Sequence, residues 1–174
     1  MHKVLGAAAQ EGASLDELEK LAKKVLPNIK TLAVALSAAT NPEVGKPGFL
    51  LKEDEIEYGV GIHSEPGYRR EKIKPSKELV EELIGKLNDE MNLDGNKKYA
   101  CLINGMGATP LMEQYVFAND VLNKLKEFNI KPSFMKVGNY MTSIDMAGIS
   151  LTLFEIKEDK WLDYLNYPVQ TIAW

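Results

Sequence analysis

The most specific chemistry in this sequence centres on one imidazole, in the segment Gly61-Ile62-His63-Ser64-Glu65-Pro66-Gly67. A neutral ring nitrogen is both a nucleophile and a proton carrier near neutral pH. Glycine and proline on either side restrain the backbone, as is needed if the ring is to meet a small molecule at a set angle. A hydrogen-bonded structural histidine would suit the same loop, and the residues alone leave both roles open. The other histidine, His2, stands at the terminus, where disorder is expected. A histidine-rich metal site is therefore not predicted.

Asn104-Gly105-Met106-Gly107-Ala108-Thr109-Pro110 falls between an apolar run and a helical pattern, where free amides and a helix dipole can hold an anion. The segment lacks the P-loop lysine and the third glycine of a dinucleotide fingerprint. A tight turn that needs glycine for steric reasons accounts for it better. Tyr68 to Lys74 is the most basic stretch and reads as a solvated loop, with a phosphate or protein partner as the alternative. Glu53, Asp54, Glu55 and Glu57 read as the wet side of a strand and its turn, so no acid and base pair stands out. Gly138 to Gly148 mixes small, polar and aromatic residues, as either a ligand-pocket wall, a subunit contact or a packed connection would.

Behind these segments stand the elements that must hold them. Ser14 to about Lys24 places Leu15, Leu18, Leu21 and Ala22 on one helical face, with Ser14 and Glu17 spaced as a capping box. A shorter helical piece, Val4 to Gln10, precedes it. Thr31 to Leu36 reads as a buried strand, Asn41 to Gly48 as a loop, and Glu55 to Val60 as an alternating strand that leads into His63. Pro75 to Met91 carries Leu79, Val80, Leu83, Ile84 and Leu87 at helical spacing. Tyr99 to Ile103 is a strand, and a long helix runs from about Leu111 to Phe128, with Thr109 suited to its N-cap and Pro110 to its first position. Strands around Ser133 to Val137 and at Ile149 to Ile156, then a short helix at Lys160 to Leu165, complete the pattern before an aromatic tail. Such an alternation predicts a layered α/β domain, with helices packed on a mixed β-sheet.

The bulk composition narrows the function classes. The 174 residues, 45% hydrophobic and 26% charged, fit one ordinary domain over 1–174. A net charge of -4 argues against a nucleic-acid partner. No apolar run has the length of a membrane span or a signal peptide. The single Cys101 precludes an internal disulfide and suits a reducing interior, so a cytoplasmic location is expected.

Several segments together resemble the dihydroxyacetone kinase K-subunit family. They are Gly12 to Glu17, Gly45-Lys46-Pro47, Gly61 to Gly67, Asn104 to Glu113, Val137 to Ser143, Met146 to Leu153 and Ala173-Trp174, which span the chain in family order. The resemblance implies the C-terminal half of that subunit, with the N-terminal half absent. It implies that His63 forms a covalent hemiaminal with the carbonyl carbon of dihydroxyacetone, a carbon that glycerol lacks, before phosphoryl transfer to a terminal hydroxyl. Gly61 and Glu65 join His63 as expected substrate-binding residues. Protonation would remove the attacking lone pair, so trapping is expected to weaken in acid. Ser64 stands where the family usually has glycine.

By the same resemblance this chain carries no cofactor or metal of its own; ADP or ATP and Mg belong to a partner L subunit or fused domain, and phosphoenolpyruvate is the phosphate source in many bacteria. The expected partners are dihydroxyacetone, the L subunit, the missing N-terminal K domain and a second copy in a homodimer. Without the N-terminal segments the chain is expected to be an incomplete enzyme. The alternative within the family is a dihydroxyacetone-sensing paralogue that controls transcription.

Overall fold

A computed structural model describes residues 1–63 and 65–174. The chain runs α1 (His2–Gln10), α2 (Leu15–Val25), β1 (Ile29–Ala35), β2 (Thr40–Asn41), β3 (Lys46–Pro47), β4 (Glu55–Tyr58), β5 (Arg69–Lys72), α3 (Ser76–Met91), β6 (Lys98–Gly105), α4 (Leu111–Glu127), β7 (Phe134–Gly138), β8 (Gly148–Ile156) and α5 (Asp159–Asn166). Six strands form one sheet in the order β5-β4-β1-β8-β6-β7. Only β6 and β7 pair in parallel, through the α4 crossover; the other neighbours are antiparallel. The fold is thus α/β with a mixed sheet. The short pair β2 and β3 closes the loop after β1.

Strand alternation divides the side chains between two layers. Val34, Ile103, Leu151 and Leu153 face α3 and α4, whose buried residues include Leu83, Ile84, Phe117, Val121 and Leu125. Burying each large aliphatic side chain there contributes about 1.5–3 kcal/mol. On the opposite face α1 and α5 cover one end of the sheet, where Val4, Phe154, Trp161 and Leu165 cluster and the Phe154 and Trp161 rings stack at 5.6 Å. A smaller cluster of Ala33, Ala35, Val60, Met106 and Met146 lies elsewhere on that face. The sheet between these clusters is floored by short side chains.

Three local expectations change. His2 is not disordered, because α1 starts with it and Val4, Ala7 and Ala8 are buried. The capping box of Ser14 and Glu17 forms, yet Leu15 on the apolar stripe of α2 is 81% exposed. Tyr68 to Lys74 is no free loop. Arg69–Lys72 pairs with Glu55–Tyr58 as the edge strand β5, because alternate charges on a hairpin find partners across it.

Candidate functional site

The His63 loop joins β4 to β5 and is closed at its base by paired backbone and charge. The Tyr68 amide donates to the Tyr58 carbonyl at 2.9 Å. The Gly67 amide donates to Glu57 Oε1 at 2.8 Å, and Arg70, which faces Glu57 in the strand register, donates through Nε to Oε2 at 3.0 Å. Arg70 also reaches the Leu50 carbonyl at 3.0 Å. Glu57 is only 3% exposed, so it is not the wet-side carboxylate that alternation suggests. A buried carboxylate persists where a cation and an amide satisfy its oxygens, and here it ties both ends of the loop together. Glu53 and Asp54 are exposed, as the sequence pattern predicts.

Within the loop, Glu65 folds back on His63. Its Oε2 accepts from the His63 backbone amide at 3.0 Å and its Oε1 lies 3.1 Å from ring Nδ1. The Gly61 amide reaches the Glu65 carbonyl at 3.4 Å. A Cβ at residue 61 would run into the Glu65 carboxylate where it now lies, so the glycine leaves room for that placement. Hydrogen bonds hold the Glu65 carboxyl below the usual carboxylate range, first from its own backbone amide and then from His63. The His63 side chain is 79% exposed, so its ring is open to solutes. Gly61, His63 and Glu65 are therefore brought together; Ser64 lies outside the described residues.

The stretch leading to His63 also walls a cleft. Val60, Gly61 and Ile62 border a space of about 750 Å³ over the sheet face away from α3 and α4. Its floor includes Thr31, Ala33, Ser150 and Thr152, with the Thr31 and Thr152 hydroxyls 2.8 Å apart, while His2 in α1 and Trp174 line other sides. Short side chains on adjacent strands create this depression. Sequence reasoning missed the floor and the Glu57 brace; the opposite charges of Glu57 and Arg70 at hairpin-compatible positions were the available signal for the second.

The other glycine segment serves packing. The Met106 amide donates to the Gly148 carbonyl at 3.1 Å and the Ala108 amide to the Met146 carbonyl at 3.0 Å, so neither is free for an anion. Gly105 lies against the Gln114 and Asn139 side chains, and a Cβ there would overlap both. Gln114 Nε2 donates to Asn139 Oδ1 at 2.7 Å and to the Thr109 carbonyl at 2.9 Å. Thr109 is not the N-cap of α4. Pro110 holds that position, and the Thr109 hydroxyl instead exchanges hydrogen bonds with Gly148, 2.6 Å to its carbonyl and 2.8 Å from its amide.

Asn104 in turn secures the Gly138 to Gly148 connection. Its Oδ1 accepts from the Tyr140 and Met141 amides, each at 2.8 Å, and its Nδ2 donates to the Met141 carbonyl at 2.8 Å. Packing is thus one role of that connection, and Tyr140 and Met141 also line the cleft. The basic run is neutralised locally: Arg69 pairs with Glu82 and Glu71, and Arg70 with Glu57. Among the described residues, no helix is long and apolar enough to cross a membrane, and no three acidic, histidine or cysteine side chains cluster as a metal would require.

Comparison with known proteins places this geometry in a family context. The Dak1 domain family matches residues 1–173. The dihydroxyacetone-binding subunit DhaK of the PTS-dependent dihydroxyacetone kinase of Lactococcus lactis is 64% identical over 174 residues, covering 100% of this chain and 52% of that protein. The DhaKLM operon coactivator DhaQ of the same organism is 51% identical over 176 residues, covering 100% of this chain and 53% of the relative. A solved dihydroxyacetone kinase operon co-activator superposes with a TM-score of 0.89 at 51% identity, over 96% of this chain and 52% of that one. The chain spans about half the length of the curated relatives it matches.

Proposed function

The chain belongs to the Dak1 domain family, and from that premise we propose that it is the substrate-trapping part of a dihydroxyacetone kinase, with His63 as the covalent anchor. The observation that carries this reading is an imidazole 79% exposed on a loop whose base is tied by Glu57, Gly67 and Arg70. The nucleophile is accessible while its backbone is held. A ring nitrogen of His63 adds to the carbonyl carbon and the carbonyl π pair moves to oxygen; that oxygen gains a proton from water as the other ring nitrogen gives one up to water, which leaves a neutral hemiaminal. Substrates are chosen by reactivity, since a polyol offers no electrophilic carbon. Gly61 and Glu65 flank the trapped triose.

Anchoring a small, flexible molecule converts an encounter into a fixed geometry, from which a terminal hydroxyl can attack a phosphoryl group. By resemblance to the family, nucleotide and Mg are assigned to a partner L subunit or fused domain. The working assembly is proposed to be a cytoplasmic homodimer that also needs the family's N-terminal K half.

Intact-mass measurement of the full-length protein with dihydroxyacetone tests this reading. The expected result is a mass gain of one triose, absent with glycerol and absent in His63→Ala. An adduct that survives His63→Ala would overturn it.

The coactivator, at 51% identity, supports a second reading in which the same trap serves as a sensor that controls transcription. The kinase-subunit relative, at 64%, favours the first. Supplying the L subunit and a phosphate donor distinguishes them: trapping with no phosphorylated product supports the sensor.

A further inference from the structure

We propose that Arg70 is a positioning residue of the His63 trap: one guanidinium fastens the loop and the Phe49-Leu50 segment beside it, and so sets the angle at which the ring meets the carbonyl carbon. This role rests on the reading of His63 as the covalent anchor and adds the group that aims it.

Arg70 stands outside the loop, in β5, yet its side chain gathers three stretches of chain. Nε donates to Glu57 Oε2 at 3.0 Å, and Nη1 donates to the Leu50 carbonyl at 3.0 Å. The guanidinium also lies 5.8 Å from the centre of the Phe49 ring. Glu57 passes the hold on, because its Oε1 accepts from the Gly67 amide at 2.8 Å. Glycine at 67 permits that contact, since a Cβ there would lie 2.1 Å from the Tyr58 carbonyl oxygen and 2.6 Å from Glu57 Cγ. Phe49 and Ile62, the residue before His63, pack against the same small cluster of Ala33, Val60 and Met146. The chain is therefore held before His63, after it and along its flank.

The neighbouring arginine separates aiming from docking. Arg69 points to α3, where it pairs with Glu82, and its guanidinium lies 4.7 Å from the centre of the Tyr58 ring. Strand pairing also continues past Arg70, with Glu71 opposite Ile56 and Lys72 opposite Glu55. Loss of the Arg70 contacts thus leaves β5 docked and releases the loop end. Arginine suits the task as lysine does not. Its planar fork sends two N–H groups to two acceptors at fixed angles, whereas an ammonium is a point charge on a flexible stem. Aim matters, because a misplacement of about 1 Å can slow a bond-forming step on the order of 100-fold.

The test compares wild type, Arg70→Lys and Arg70→Met in the full-length protein with two probes. Adduct formation with dihydroxyacetone, followed by intact mass, needs a set approach. Diethyl pyrocarbonate acylates an exposed neutral imidazole without one, and peptide mass reads its reaction at His63. Arg70→Lys keeps a cation beside the buried Glu57, so its denaturant midpoint should match wild type. Its rate of adduct formation should fall on the order of 10-fold, and that of Arg70→Met on the order of 100-fold. Acylation of His63 should keep its wild-type rate in both. Adduct formation at the wild-type rate in Arg70→Lys shows that charge alone suffices and overturns the proposal. Adduct formation and acylation that slow together also overturn it, because the ring has then lost exposure or reactivity rather than aim. Should Arg70→Met fail to fold, Arg70→Lys decides by the same two rates. A wild-type protein that forms no adduct refutes the anchor itself, and Arg70 then has no trap to aim.

Discussion

Two strands of this sheet, β4 and β6, run into glycine-bearing loops, and glycine makes room for opposite ends in the two. In the loop after β4, the missing side chain at Gly61 lets a carboxylate lie beside His63, and the imidazole stays exposed. At the end of β6, Gly105 makes room for Gln114 and Asn139, and the amides of the loop that follows are engaged inside the protein. One loop holds a carboxylate beside an imidazole at the surface; the other closes a neutral network in the interior. Glycine at the end of a strand therefore marks close approach, and whether a site results depends on what approaches.

The sharpest way to break this contrast is Gly105→Ala, which forces a Cβ into two packed side chains. It should lower stability by about 3 kcal/mol, read as a denaturant midpoint shift. Next in size, Thr109→Val strips the paired hydrogen bonds to the buried Gly148 backbone and should lower stability by about 2 kcal/mol by the same measurement.

Gly61→Ala should reverse the profile. The Glu65 carboxylate can swing toward solvent, so stability should change by only about 0.5 kcal/mol. Adduct formation, in contrast, should fall on the order of 100-fold as the ring loses its setting. A stability loss as large as that of Gly105→Ala would erase the distinction between the loops.

Acid, read locally at the His63 amide, probes the carboxylate clasp. The Glu65 carboxyl is held below its ordinary value of 4.5, so the stabilisation it contributes is fully present above that pH and is lost as the pH falls through the lower folded value. Hydrogen exchange at the His63 amide should accelerate over that window, relative to exchange measured for the Met106 amide. The smallest effect expected is at Cys101, in the strand that feeds the second loop. Burial pushes its thiol up to about 12, so iodoacetamide at pH 8 should leave the folded chain unmodified and label it only on unfolding.

Much of the scaffold was legible without coordinates because it is written in local periodicity. Leu79, Val80, Leu83, Ile84 and Leu87 recur at helical spacing and are all buried in α3. Ser14 and Glu17 form the capping box that their spacing predicts. The mixed sheet follows from the connection between Phe49 and Val60, which is too short to cross over as a helix. Thr109 misled because an N-cap and a strand-bridging hydroxyl look alike in sequence; its actual partner is Gly148, far along the chain.

The sequence by itself determined the helices and the longer strands, though not β2, β3 or β5, together with the restrained setting of His63 and, by resemblance, the family. Tertiary structure alone decided that Glu57 is a buried brace, that Glu65 reaches the ring, and that Thr31 and Thr152 share the floor of one cleft. Periodicity records which residues share a face, a property of neighbours a few positions apart. Partners across a hairpin or between distant strands are set by register, and one residue of slip sends every side chain to the other face.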